Sequence, residues 1–489
     1  MNFKLLISAI LASTIAVVGC ESDSTSGGTG GSGGGGGSAG TGGSAGSGGS
    51  GGSGGTPATV DCDNLPNVDA FAVGDVFDNV PDTTSDDCTD PIFMPGADAA
   101  ARLNARLENA DPEDVVCMAE GTYEMDGTIA ISLVEGLTLK GIGASPDDTL
   151  LNFGGPGTGK GIFVQKDRVT IENLWVKNTG DNGIEQDGVT GSVFRKVRVS
   201  WDSANQEEHG PYGIYPTNCE DALVEYSQAS GAADAGFYLG KCGWLDDTTD
   251  GGLMRYNITS GNVAGFEVEN SLDVRAHDNL VMDNTGGLMP LQQPISAERP
   301  ANKNVLMDHN MVWCNNHENF ATTGVVQIIP VGSGLVNLGG DGIEIRDNDI
   351  QGNDSMGLAI VSSSFTCDAA GADCPPYSYP YNAYAENIYV HDNYFLNNGT
   401  NADMDSDFSI IFNILNVGTP ENPTPDIMWD GNIREGNADP GICLGADYTG
   451  TYIDLTDNQC QMPANAGVFA ACIVENNTTD TVGRLCDPS

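Results

Sequence analysis

Basic residues are scarce in this chain of 489 residues: 19 Lys and Arg stand against 68 Asp and Glu, a formal charge of −49. Such a surface repels a nucleic-acid duplex and an anionic membrane face, so nucleic acid is excluded as a partner. The same repulsion counts against polyanionic glycans unless a cation bridges them, and an acid-rich, lysine-poor surface is also what a saline habitat selects. Neither a CxxC nor a CxxCH spacing occurs among the 13 cysteines, which argues against structural zinc and covalent haem. Helical periodicity is nearly missing too. Only Asp98 to Leu107 carries it, which predicts a short amphipathic helix capping whatever follows.

The longest apolar run, Leu5 to Val18, is too short to span a bilayer. It follows Lys4 and ends in a small residue and a cysteine, the pattern of an export signal. Val17-Val18-Gly19-Cys20 resembles the lipobox of bacterial lipoproteins. The resemblance implies removal of residues 1–19 and a lipid anchor on Cys20. Glu21 rather than Asp follows, which points to the outer membrane or cell surface. Residues 20–58 are almost only Gly, Ser, Thr and Ala, too poor in apolar surface to repay their ordering entropy. They predict a coil tether with a reach of roughly 30–35 Å. Setting Cys20 aside leaves an even number of cysteines in an oxidising compartment, so disulfides are expected.

The body of the chain repeats. An apolar residue, two polar, Asn, any residue, a second apolar residue and usually a second Asn recur at Met254…Asn257…Asn262, Ala276…Asn279…Asn284 and Met307…Asn310…Asn315. The pattern returns at Ile345…Asn348…Asn353 and Val390…Asn393…Asn398, with degenerate copies starting at Ile171, Val197 and Val224. A Gly-apolar pattern interleaves with it at Gly183, Gly213, Gly236, Gly265 and Gly287. Spacings near 22–23 residues are those of one coil of a parallel β-helix; longer ones are coils with an inserted loop. Apolar positions point inward, and each Asn stacks at a corner on the Asn of the next coil. The fold predicted is all-β: a right-handed single-stranded parallel β-helix over residues 114–432. An N-terminal cap region (59–113) precedes it and a Cys-rich tail (433–489) follows.

Gly210–Cys219 (GPYGIYPTNC), Ala229–Cys242 (ASGAADAGFYLGKC), Asn262–Ser271 (NVAGFEVENS) and Asp283–Gly287 (DNTGG) resemble segments of a bacterial family of exported proteins with parallel β-helix repeats. The likeness runs from Gly141 to about Phe365 and implies the fold and the exported lipoprotein habit. It implies no reaction. The Asp-Pro-His-Asp run of mannuronan epimerases and the Gly-His-Gly stretch of polygalacturonases do not occur.

Stacked coils place matching residues about 4.8 Å apart, with alternate residues outward. After each Gly-apolar pair the outward column reads Glu185, Tyr215, Tyr238, Glu267 and Met289, with Glu269 two places further. Exposed rings between carboxylates suit a sugar, whose apolar face covers the ring while its hydroxyls donate to the acids. Glu185, Tyr215, Tyr238, Glu267 and Glu269 are therefore the candidate ligand face. Catalytic candidates on it are Glu267 and Glu269, whose spacing suits inverting hydrolysis, with Lys241 and His209 as nearby bases. Asp234 reads as a turn cap. A second outward column reads Glu172, Arg198, Glu225, Arg255, His277, Asp308, Arg346 and His391, and its alternating signs predict a cross-coil ion-pair ladder. No cofactor is required, although Asp246, Asp247 and Asp250 form an acidic corner able to hold a structural Ca²⁺. These features predict a monomeric, lipid-anchored β-helix that binds a polysaccharide or an envelope protein. A carbohydrate-active lyase, epimerase or hydrolase and a purely structural envelope protein are the alternatives.

Overall fold

The structure, a computed structural model, describes residues 57–66, 73–85, 87–243, 251–294, 299, 301–363, 381–456, 472–481 and 484–486. The signal, Cys20, nearly all of the tether and the Asp246, Asp247 and Asp250 corner lie outside the described residues. Every strand pairing between named strands is parallel, and each strand pairs with its counterpart one coil away. Coils contain three strands, as in Leu272–His277, Leu280–Met282 and Gly286–Leu291, followed by Lys303–Asp308, Met311–Trp313 and Ser333–Leu338. The first two strands of each coil stack into a 20-stranded sheet and the third into an 11-stranded sheet. This is a parallel β-helix. Its interior is one apolar column, in which Ile214, Phe237, Phe266, Leu288, Leu335 and Leu358 follow each other at the same register.

The Asn repeats make two buried ladders. Asn279 Nδ2 donates to Asn310 Oδ1 at 2.9 Å and to the Met254 carbonyl at 3.1 Å, while its own Oδ1 accepts from the Asn257 backbone. The pattern continues through Asn348 to Asn393. A parallel ladder links Asn262, Asn284, Asn315, Asn353 and Asn398. Each amide thus satisfies corner backbone groups that the turn would otherwise leave buried and unpaired. The glycine column has a different cause. A Cβ on Gly213 would lie 2.3 Å from the Gly236 carbonyl oxygen, so only glycine lets successive coils approach there.

Between the first and second strands of a coil the chain turns through one left-handed residue: Asn173, Lys196, Tyr226, Tyr256, Asp278, His309, Asp347 and Asp392, all with φ between 51° and 56°. The residue before each corner forms the charged column. Register places Glu172, Arg195, Glu225, Arg255, His277, Asp308, Arg346 and His391 in line. Arg198 is therefore not a member, and Arg195 is. Val193, Phe194, Val197 and Val199 in the eight-residue strand Val193–Ser200 fit the apolar repeat in either phase, and the coil takes the copy that starts at Phe194. Glu225 accepts from Arg195 at 2.6 Å and from Arg255 at 2.7 Å, so the ladder is real where guanidinium and carboxylate alternate.

Ala99–Glu108 is the expected helix; it buries Ala99, Ala100, Leu103 and Leu107 over the first coil. Asn104 closes the open edge, donating to the Thr128 carbonyl and accepting from Ala130 N–H. The segment before it is a strap along the flank. Val73, Val76, Phe77 and Val80 pack on Tyr226, Tyr256, Ile258 and Leu280, and Cys62 is bonded to Cys314. Cys88–Cys117, Cys219–Cys242 and Cys443–Cys486 are also joined. These disulfides place the protein in an oxidising, extracytoplasmic compartment. No helix among the described residues is long and apolar enough to cross a membrane. Strand pairing runs past Asn432 through Cys443–Gly445 and Tyr452–Asp454.

Candidate functional site

The predicted Tyr/Glu column exists in register. Glu185 pairs with Tyr215, and Tyr238 with Glu267 and then Met289, all on the outer side of the 11-stranded sheet. What differs is the solvent. Tyr238, Glu267 and Glu269 are buried, at 2 %, 2 % and 7 % exposure. The insertion at residues 314–332 folds over them, with Phe320, Val325, Val326 and Ile329 packed on Tyr212, Tyr215, Tyr238 and Met289. The open ligand face expected from alternation is thus a closed one. Alternation fixes which side of a strand a residue takes, but not what lies on that side.

Beneath the insertion the acids meet each other. Asp234 and Glu267 lie carboxyl to carboxyl, close enough for a proton on Glu267 to be donated to Asp234, which favours the acid form of Glu267. Burial raises both, and no cation among the described residues offsets it: Asp234 is pushed up to about 7 and Glu267 well above the carboxylate range. The Tyr212 hydroxyl donates to Asp234 Oδ2 at 3.0 Å. Glu267 Oε1 has no hydrogen-bond partner among the described residues. A second acid is differently held: Glu269 accepts from the Tyr238 hydroxyl at 2.6 Å and from Gln293 at 2.5 Å. Burial raises Glu269 as well, against the pull of Tyr238 and Lys241. The rings form a contiguous cluster, Tyr212–Tyr215 at 4.3 Å and Tyr215–Tyr238 at 4.4 Å between centroids. Burial and the Glu269 charge push the Tyr215 hydroxyl up to about 12. Tyr212 and Tyr215, half-buried, are the parts of the cluster nearest to solvent.

The other candidates separate. Glu185 is tied to Lys160 at 2.7 Å and to Asn182 at 2.6 Å, at the edge of the cluster. His209 does not serve as a base in this arrangement: its ring nitrogens sit 2.6 and 3.0 Å from the Gly231 and Ser203 carbonyl oxygens, which pins its loop. Lys241 lies near enough to Glu269 to act on its charge, at another left-handed corner. Asp234 is no mere turn cap, because its carboxyl belongs to the pair. Neither alternation nor repeat spacing marks Tyr212 or Gln293 as part of this cluster. Tyr212 and Tyr215 share the outer side although three residues apart, as Ala235 and Tyr238 do in the next coil and Met356 and Ala359 further on, so strict alternation fails at the glycine position of the coil. Among the described residues no cluster of His, Cys, Asp and Glu is arranged to hold a metal.

Residues 151–294 match the family model described as "Right handed beta helix region", which fixes the class and the hand of the coil. Among solved structures the chain is similar to the A-module of mannuronan C-5 epimerase AlgE6 of Azotobacter vinelandii: 16% identity, 71% of this chain, 86% of that one, TM-score 0.44. An alginate lyase from Paenibacillus sp. str. FPU-7 is similar over 62% of this chain and 93% of its own, at 12% identity and TM-score 0.40. Pectate lyase Pel9A follows at 16% identity, 72% and 77% coverage and TM-score 0.39. No curated protein matches the chain. The protein is a right-handed parallel β-helix.

Proposed function

We propose that this is an exported, membrane-tethered β-helix whose covered site performs acid–base chemistry on a polysaccharide. The observation that carries the reading is the proton-sharing pair Asp234–Glu267 beside three tyrosines. A buried acid held neutral near pH 7 next to a carboxylate supplies a proton donor and an acceptor in one place. In this reading Asp234, oriented by Tyr212, takes or returns a proton, Glu267 holds the pair's shared proton, and Tyr212 and Tyr215, the rings nearest to solvent, cover the sugar ring. Two-carboxylate hydrolysis needs the groups about 5–9.5 Å apart, which a directly hydrogen-bonded pair does not have. Proton abstraction and return, as in a lyase or an epimerase, is favoured over hydrolysis. The charge of −49 adds a condition: on a polyanionic glycan KM should fall as salt screens the repulsion.

The test is a polysaccharide panel assayed for unsaturated uronate absorbance, epimerised product and reducing ends. Turnover of one substrate, falling about 10²-fold or more in a folded Glu267→Gln variant, supports the reading. Turnover unchanged in that variant sinks it. A second reading, glycan or envelope-protein binding without turnover, is favoured by the closure of residues 314–332 over the pair. It predicts affinity that survives Glu267→Gln.

A further inference from the structure

On the opposite flank, away from the carboxyl pair, the strap leaves a cavity of about 260 Å³ between Val73–Asp82, the turn Ala144–Asp147 and the strands below. We propose that this cavity is a separate binding site for a single neutral sugar ring, a terminal or side-chain unit of a glycan. At about 30 Å³ per water the space holds roughly nine waters, enough for one six-membered ring with its hydroxyls.

The lining has the chemistry of a polyol site. Its floor carries donors, Lys196, Arg198 and Gln228, and its rim carries acceptors, Asp82 and Asp147. Arg198 donates to Asp147 Oδ1 at 3.1 Å and lies 4.2 Å over the Trp175 ring, so guanidinium and carboxylate are held in place as they neutralise each other. Lys196 Nζ donates to Thr83 Oγ1 at 3.0 Å, and that hydroxyl donates to Glu172. Two cations, Lys196 and Arg198, face Asp82 and Asp147 in the lining, with Glu172 behind Thr83, so the wall offers directional donors and acceptors with a small net charge. That suits hydroxyl groups, which do both, better than an ion of either sign. Val73, Val80 and Pro81 supply an apolar wall for the ring face.

A second, independent observation concerns the backbone. The left-handed corner is filled by Asn, Asp or His at Asn173, Asp278, His309, Asp347 and Asp392, residues that tolerate it best. Lys196, Tyr226 and Tyr256, all beside the strap, are the exceptions. Tyr256 packs on Phe77 of the strap. Lys196 and Tyr226 line the cavity, and Lys196 is 9 % exposed. Burial lowers its ammonium below the usual lysine range against the pull of Glu172 and Asp82. A long cation at a strained, buried corner costs stability that an Asn there would not, and its place in the cavity wall is the compensating use.

The full chain is tested with glucose, mannose and galactose in turn, by saturation-transfer NMR and titration, with glucuronate as the charged comparison. Saturable binding of one hexose, at least about tenfold weakened in Lys196→Met, supports the proposal. Val80→Trp, which fills the cavity and leaves the floor intact, should abolish the signal while circular dichroism stays unchanged. Glu267→Gln should leave hexose binding intact, which separates this site from the carboxyl pair. No saturable binding of any hexose, binding of glucuronate alone, or hexose binding indifferent to Val80→Trp overturns it.

Discussion

Asp308 and Glu267 are carboxyl groups shut off from water, 0 % and 2 % exposed, on the outer sides of two sheets of one solenoid, with Glu267 the deeper of the two. Their titrations are pushed in opposite directions. Burial alone pushes Asp308 up, but Arg275 grips it with two hydrogen bonds at 2.8 and 2.6 Å, and His309 and Arg346 stand beside it. The result is a carboxyl below its ordinary range. Glu267 meets Asp234 where Asp308 meets Arg275, and its carboxyl is pushed well above the ordinary range. Burial raises both carboxyl groups, more strongly for the deeper Glu267, and Asp308 alone of the two has guanidinium groups beside it to reverse the effect.

The largest effect expected is from breaking the cationic half of this contrast. Asp308→Ala leaves Arg275 and Arg346 facing each other and should cost about 2–4 kcal/mol in urea unfolding at pH 7. A loss under about 0.5 kcal/mol would mean that the guanidinium groups are solvated and the pairing idle. Next comes the acidic half. Asp234 and Glu267 titrate higher in the folded than in the unfolded chain, so their folded state keeps protons that the unfolded chain gives up. Stability should therefore fall as pH rises from the ordinary carboxylate range through about 7. Asp308 titrates lower when folded, so its contribution is complete above about pH 4 and is lost as pH drops through its folded value. Glu267→Gln should flatten the neutral limb alone, gaining about 1–2 kcal/mol at pH 8 and little at pH 5. Equal gains at both would show that the pair is not a proton-sharing one. The smallest effect belongs to the ladder's wet edge. Glu344, 44 % exposed, pairs with Arg346 and His391, and Glu344→Gln should cost at most about 0.5 kcal/mol, vanishing at high salt.

Much of the fold was legible because a coil repeats its constraints. Asn257 to Asn393 recur because each turn has the same unpaired backbone groups, and Gly213 to Gly287 recur because each coil approaches the next equally closely. The charged column was legible except where Val193–Ser200 allowed two phases, which exchanged Arg195 for Arg198. The candidate site was half legible: side and register of Tyr215, Tyr238 and Glu267 followed from alternation. Its partners Asp234, Tyr212 and Gln293 lie before the glycine position or beyond the strand end, outside the stretch that alternates.

The sequence alone determined the solenoid, its corners and which residues face out, since these depend on interactions within one coil or between adjacent coils. Tertiary structure alone decided which outward rows meet water. Residues 314–332 close one row and the strap from Val73 to Asp82 closes another, each from far along the chain. Covering is a long-range event, and it converts a solvated carboxylate row into a proton-sharing pair because water, the screening partner that alternation takes for granted, has been removed.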